Sequence, residues 1–269
     1  MSLALIRSLI FALAFYAGTA VFVVGGSFLM LGPRRYAMMG LKAHALFSLW
    51  LLRWIVGTRM EVRGTEKLPP APYLVASKHQ SAWDTFALIP IFGDPAMVMK
   101  WELTLIPFYG WFSRKFEHVF VKRDRGPIAL RNLIRDAKDR ASAGREIVIF
   151  PEGTRRAPGA APDYKSGAVA LYEGLGLPCV PVALNSGLYW PRRKLMRYPG
   201  TIIVEILDPL PANMPRAQFR AELQQRIETA SSRLILEAAR SSNPPPVPDG
   251  VIASAEKLIS ADGTGRAPS

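Results

Sequence analysis

A histidine and an aspartate five positions apart, His79 and Asp84, are the residues in this sequence best suited to moving a proton. Imidazole exchanges protons near neutral pH. A carboxylate that holds one ring nitrogen leaves the other free to act as a general base. A separation of five turns two side chains roughly 140° apart in a regular helix, so the pair shares no helical face. They can meet if His79 lies in a loop and Asp84 opens the helix behind it. The flanking residues fit that arrangement: Tyr73-Leu74-Val75-Ala76 reads as a buried strand, and Ala82 to Ile89 can be helical. A structural reading competes, because Ser81 followed by Asp84 has the form of a capping box and an acid in a first turn suits the helix dipole.

Further polar residues stand directly behind apolar strands. Phe120-Val121-Lys122-Arg123 puts a guanidinium at a strand end, where it can form a bidentate pair with a phosphate. Ile147 to Phe150 is another such strand, broken by Pro151-Glu152-Gly153-Thr154-Arg155. In that turn Gly153 permits tight backbone geometry and close ligand approach. Thr154 and Arg155 can donate to an oxyanion, and Glu152 can accept from a hydroxyl. Taken singly, Arg123 and Arg155 are equally ordinary surface charges. Lys165, ahead of Ser166-Gly167-Ala168, can open the next helix and help hold an anion at its N-terminus. His44 and His118 read as packed residues. The single cysteine, Cys179, excludes an internal disulfide and a thiolate metal cluster, and no metal site is expected.

Positioning these loops calls for a sheet. Strand-like runs occur at 60–63, 73–77, 96–99, 118–121, 146–150, 178–184 and 201–207, with amphipathic helical stretches at 127–143 and 215–240. This alternation predicts an α/β domain over residues 58–240, with a mostly parallel or mixed central sheet of about seven strands flanked by helices. Active residues then belong in loops beyond the strand ends. Residues 241–269, rich in Pro, Ser and Gly, read as a disordered tail.

Residues 1–57 read as membrane-anchoring helices. From Ser8 to Gly32 there is no charged residue, and a helix of that length can cross a hydrocarbon core of about 30 Å. A cleaved signal peptide is the competing reading, but the apolar run continues to Leu31, too far for an ordinary leader. Trp50 and Trp54, one helical turn apart in a second, shorter apolar stretch, suit a membrane interface. Arg34, Arg35 and Lys42 outnumber Arg7 across the first segment, which places the main domain on the cytoplasmic side, with a bacterial inner membrane as the expected location. The net charge of +13 over 269 residues points to an anionic partner. Nucleic acid is disfavoured, because the basic residues are dispersed and no P-loop, dinucleotide fingerprint or RNA-binding signature is present. No G-x-S-x-G nucleophile elbow is present either, so a hydrolase would have to activate water directly.

Together these stretches resemble the glycerolipid acyltransferase family, which includes the 1-acyl-sn-glycerol-3-phosphate acyltransferases. His79 and Asp84 match its His-x4-Asp motif, and Val119 to Arg123 match its strand ending in arginine. Phe150 to Arg155 match its Phe-Pro-Glu-Gly-Thr-Arg motif, and Val180 to Leu184 match its apolar stretch around a proline. Lys100-x-Glu102-Leu103 with Pro107 and Gly110 is similar to its linking stretch. The likeness spans about residues 60 to 210; Tyr164-Lys165-Ser166-Gly167 departs from the more basic version in many relatives.

The resemblance implies acyl transfer from acyl-CoA or acyl-carrier protein to lysophosphatidic acid, without a cofactor. His79 is then the base, Asp84 orients it, Arg123 and Arg155 bind the acceptor phosphate, and Glu152 and Gly153 shape the glycerol site. Residues 101–112 can line an acyl-chain tunnel or simply pack. Two alternatives stay open: a lysolipid acyltransferase with another acceptor (a lyso-ornithine lipid or a lysophospholipid), and a non-catalytic anionic-lipid-binding membrane protein.

Overall fold

A computed structural model describes residues 2–122 and 126–261. Two helices come first, α1 (Leu3–Gly25) and α2 (Arg34–Leu51). A π-helical turn, Leu52–Val56, follows, and Gly57 at φ 88° releases the chain into β1 (Thr58–Arg63). Next are β2 (Leu74–Ser77), the short α3 (Asp84–Ala87), β3 (Ala96–Lys100), α4 (Tyr109–Lys115) and β4 (Val119–Val121). The chain continues with α5 (Gly126–Ser142), β5 (Ile147–Ile149), α6 (Ser166–Leu175), β6 (Cys179–Leu184) and α7 (Ser186–Tyr189). It closes with β7 (Gly200–Ile206), α8 (Arg216–Ala239) and α9 (Asp249–Ala261). All seven strand-like runs form strands.

The strands make one sheet in the order β1-β7-β6-β2-β5-β3-β4. Every neighbouring pair is parallel except β6–β7, so the sheet is mixed. Side chains alternate between its faces. Val75, Val148 and Val180 point to the side covered by the N-terminal helices and α3, while Leu74, Ala76, Ile147 and Ile149 point to the side covered by α5, α6 and α8. Burial on both faces explains the near-continuous apolar runs of the central strands.

The N-terminal helices are part of this core as well as an apolar surface. Phe11 is buried and meets the Trp190 ring edge-on at a centroid separation of 5.3 Å, and Phe15 packs against both Trp190 and Phe86. The Ser8 hydroxyl accepts from the Arg197 N–H at 2.9 Å. Thr19 and His44 meet at 3.0 Å, pairing α1 with α2. On the outer side Leu13, Val21, Val24, Phe28 and Leu31 face solvent, as do Trp50 and Trp54. Among the described residues α1 is the one helix long and apolar enough to cross a membrane.

The expectation of a disordered stretch from Ser241 onward is corrected. Pro and Ser dominate residues 241–248, but Val251, Ile252 and Ile259 recur at helical spacing behind them and pack on the core, and Ala255 is buried. That apolar stripe gives α9 a face to bury against α8. Residues 262–269 lie outside the described residues.

Candidate active site

β2 delivers His79. Its last ladder contact is the Lys78 N–H to the Val182 carbonyl at 2.9 Å, so the main chain leaves the sheet at the histidine. Both backbone groups of His79 then turn to the loop behind β5. Its N–H donates to a Glu152 carboxylate oxygen at 3.2 Å, and its carbonyl accepts from the Arg156 N–H at 2.8 Å. The imidazole lies nearly flat on Phe150, with centroids 4.0 Å apart and planes 18° apart.

The His79 Nδ1 stands 2.9 Å from Asp84 Oδ2. An ionised carboxylate only accepts, so Nδ1 carries the proton and Nε2 is the basic nitrogen. Nε2 has no hydrogen-bond partner among the described residues, and 11% of the side chain is exposed, enough to meet a substrate atom. Asp84 is fully buried. Its Oδ2 also accepts from the N–H groups of Gln80 at 2.7 Å and Ser81 at 2.9 Å, while Oδ1 accepts from the Ser186 hydroxyl at 2.5 Å. The capping reading and the dyad reading are therefore served by one carboxylate. The helix it opens is shorter than the 82–89 stretch anticipated.

The loop behind β5 turns on Gly153, whose φ of 63° lies in the left-handed region that penalises a Cβ. Its N–H closes onto the Phe150 carbonyl at 2.9 Å. Thr154 and Arg155 are half-buried on this loop. The Arg155 carbonyl accepts from Arg192 at 2.7 Å, and its guanidinium has no hydrogen-bond partner among the described residues, which leaves it available to an anion. Lys165 is the residue before α6, as expected, but its ammonium pairs with Asp163 at 2.6 Å and does not stand free over the helix N-terminus. Arg123 lies outside the described residues. Beside it, the Lys122 ammonium caps the Trp101 ring at 3.5 Å.

Glu152 requires a correction. Expected to accept from a substrate hydroxyl, it is completely buried with both oxygens occupied, one by the Lys78 ammonium at 2.8 Å and one by the His79 N–H. Burial pushes its carboxyl up, and Lys78 opposes that shift. A strand-loop acid looks like a ligand in sequence; here the tight turn at Gly153 aims it inward. Lys78 also meets both oxygens of Glu228 on α8, at 2.7 and 2.9 Å, and the Tyr164 hydroxyl donates to Glu228 at 3.0 Å.

Sequence reasoning missed Ser186, Lys78 and Glu228. Ser186 stands directly behind an apolar strand, the same signal that drew attention to Arg155. Glu228 was visible as an acid beside Ile227 on the buried stripe of α8. His118 is structural: its Nδ1 accepts from the Met97 N–H at 3.2 Å, and burial, aided by Arg145, depresses the ring to about 3.

His79, Ser186 and the Phe150–Arg155 loop all stand beyond the C-terminal ends of parallel strands β2, β6 and β5, the edge where open α/β sheets bind ligands. The arrangement offers a basic nitrogen backed by a buried, fully bonded acid, next to a loop bearing a free guanidinium. It can deprotonate an alcohol on an anionic molecule.

The chain is similar to known acyltransferases. The family model described as Acyltransferase matches residues 59–185. A 1-acyl-sn-glycerol-3-phosphate acyltransferase of Pseudomonas aeruginosa is 38% identical over 204 residues, covering 74% of this chain and 79% of that protein. The human 1-acyl-sn-glycerol-3-phosphate acyltransferase alpha is 28% identical, over 75% of this chain and 72% of its own. The crystal structure of the 1-acyl-sn-glycerophosphate (LPA) acyltransferase PlsC from Thermotoga maritima superposes with a TM-score of 0.72 at 24% identity, covering 85% of this chain and 96% of that one; it establishes the shared fold.

Proposed function

The chain belongs to the acyltransferase family, and from that premise we propose that it acylates the free hydroxyl of 1-acyl-sn-glycerol-3-phosphate to give phosphatidic acid. The donor is a thioester, acyl-CoA or acyl-carrier protein. The observation that carries the chemistry is the 2.9 Å contact between His79 Nδ1 and a buried Asp84 whose two oxygens are both held by donors.

His79 Nε2 takes the proton from the acceptor hydroxyl as that oxygen attacks the thioester carbonyl. The resulting tetrahedral oxyanion collapses, the C–S bond breaks, and the departing thiolate recovers the proton from the imidazolium. Asp84 holds the ring in the productive tautomer and balances its transient charge, as in a hydrolase triad whose serine is replaced by the acceptor alcohol. The thioester is already activated, so the enzyme needs no covalent nucleophile. Arg155, with Arg123, receives the acceptor phosphate, and Gly153 and Thr154 border the glycerol. General-base assistance of this kind contributes about 10²–10⁴-fold.

The acceptor is an amphiphile, and α1 is long and apolar enough to hold the protein at the membrane that contains it. Its exposed outer face, the exposed Trp50 and Trp54, and a second apolar surface at Leu105, Ile106 and Trp111 support membrane attachment, and the net charge of +13 favours anionic headgroups. The charge asymmetry about α1 favours a cytoplasmic catalytic domain at a bacterial inner membrane.

The test is product analysis. Purified protein in lipid vesicles receives a labelled acyl thioester, on CoA or on carrier protein, and a panel of lysolipids. Labelled phosphatidic acid is expected, with turnover abolished in His79→Ala. Labelled free fatty acid would identify a hydrolase, and acylation confined to a lysolipid without a phosphate monoester would move the acceptor elsewhere.

A further inference from the structure

Outside the residues matched by the family model, α8 sends a carboxylate under the catalytic loops. Glu228 is 8% exposed, and its two oxygens grip the ammonium of Lys78, itself 3% exposed and immediately before His79 in sequence. The same ammonium holds Glu152 Oε1, and Glu152 Oε2 accepts the His79 N–H. An unbroken chain of contacts thus runs from α8 to the backbone of the base: Glu228, Lys78, Glu152, His79. The Tyr164 hydroxyl braces its far end.

We infer that Lys78 and Glu228 are positioning residues for acyl transfer, holding the His79 segment in register with the loop that carries Arg155. Neither touches the substrate; both act through Glu152. The sheet cannot do this itself, because the ladder of β2 stops at Lys78 and the backbone of His79 is bonded wholly to the loop behind β5. Phe150 stacks under the ring, but among the described residues two hydrogen bonds fix that loop to the backbone of His79, from the Arg156 N–H and to the Glu152 carboxylate. Rotation of Glu152 would release one of them, and the buried ammonium prevents rotation by occupying its other oxygen. The Tyr164 hydroxyl is pushed well above its ordinary value by burial and then by Glu228, so it remains a proton donor to this cluster.

A network kept only for stability would be a weak design, since buried ion pairs replaced by apolar groups of similar volume often leave stability unchanged or improved. Positioning has a different signature. The inference rests on the assignment of His79 as the base, so His79→Ala is assayed alongside. Glu228→Gln is expected to lower kcat about tenfold and Lys78→Met about a hundredfold, with KM for acceptor and donor within about twofold of wild type. The Lys78→Met/Glu228→Gln double variant should be no slower than Lys78→Met alone, because both act through one path. Should Lys78→Met fail to fold, Tyr164→Phe takes its place, with a smaller loss that does not multiply with that of Glu228→Gln.

Wild-type kcat in Glu228→Gln beside an inactive His79→Ala would overturn this inference alone, as would losses that multiply. Turnover retained by His79→Ala would overturn the assignment beneath it.

Discussion

The hydroxyl of Ser186 donates to Asp84 Oδ1 at 2.5 Å, joining residues 102 positions apart. It ties the end of β6 to the carboxylate that holds the His79 ring, and it is the only side-chain donor to that oxygen among the described residues. Ser186→Ala leaves the oxygen buried and unpaired, which costs about 1–3 kcal/mol. The expected result in steady-state assays is a fall in kcat of about ten- to a hundredfold with acceptor KM little changed, because the change reaches the substrate only through the imidazole.

Arg155 should show the opposite pattern. A charge-assisted hydrogen bond is worth about 1.5–3 kcal/mol. Arg155→Ala is therefore expected to raise the KM for a phosphate-bearing acceptor by roughly ten- to a hundredfold, with a smaller effect on kcat. Arg155→Lys should recover only part of this, since an ammonium cannot offer the planar fork. Equal loss with an acceptor lacking the phosphate would remove the guanidinium from the binding site.

His118 predicts a pH dependence of folding. Its ring is held neutral in the folded protein, depressed from 6.5 to about 3 by burial and then by Arg145. Between those values the unfolded chain binds a proton that the folded chain does not, so stability falls as pH drops below about 6.5. The slope is about 1.4 kcal/mol per pH unit for this one group. Thermal denaturation from pH 7 to pH 4 should show a shallower decline in His118→Gln than in wild type. Parallel curves would show that the decline arises elsewhere.

Membrane attachment is testable on the outward side of α1 without touching its packed side. Leu13 and Val21 are exposed, whereas Phe11 is buried. Replacing both exposed residues with Asp is expected to abolish co-sedimentation with anionic phospholipid vesicles while circular dichroism stays unchanged. Vesicle binding that survives the double change would shift the attachment to Trp50, Trp54 and the 105–111 surface.

Much of the fold was legible because a doubly covered sheet writes itself as short apolar runs, and the seven that were read are the seven strands observed. The His79–Asp84 contact was legible for a related reason. A strand end followed at once by a first helical turn brings a separation of five within hydrogen-bonding range. Contacts set by long-range pairing were not legible. Glu152 looks solvent-facing in its motif, and only the meeting of β2, β5 and α8 shows that Lys78 and the His79 N–H consume both its oxygens. Ser186 and Glu228 reach the site across stretches whose relative placement no local pattern encodes. At α9 composition misled, because the prolines before the helix outweighed the apolar stripe within it.

The edge-on packing of Phe11 against Trp190 bears on how lipid and folding are coupled. One helix serves two solvents, its inner flank belonging to the protein interior and its outer flank to whatever surrounds the molecule. A bilayer that takes up the outer flank therefore behaves as a ligand of the native state, and thermal resistance should rise with the amount of lipid offered. Cutting away the first helix would yield a chain missing part of its interior, and not a freely diffusing enzyme.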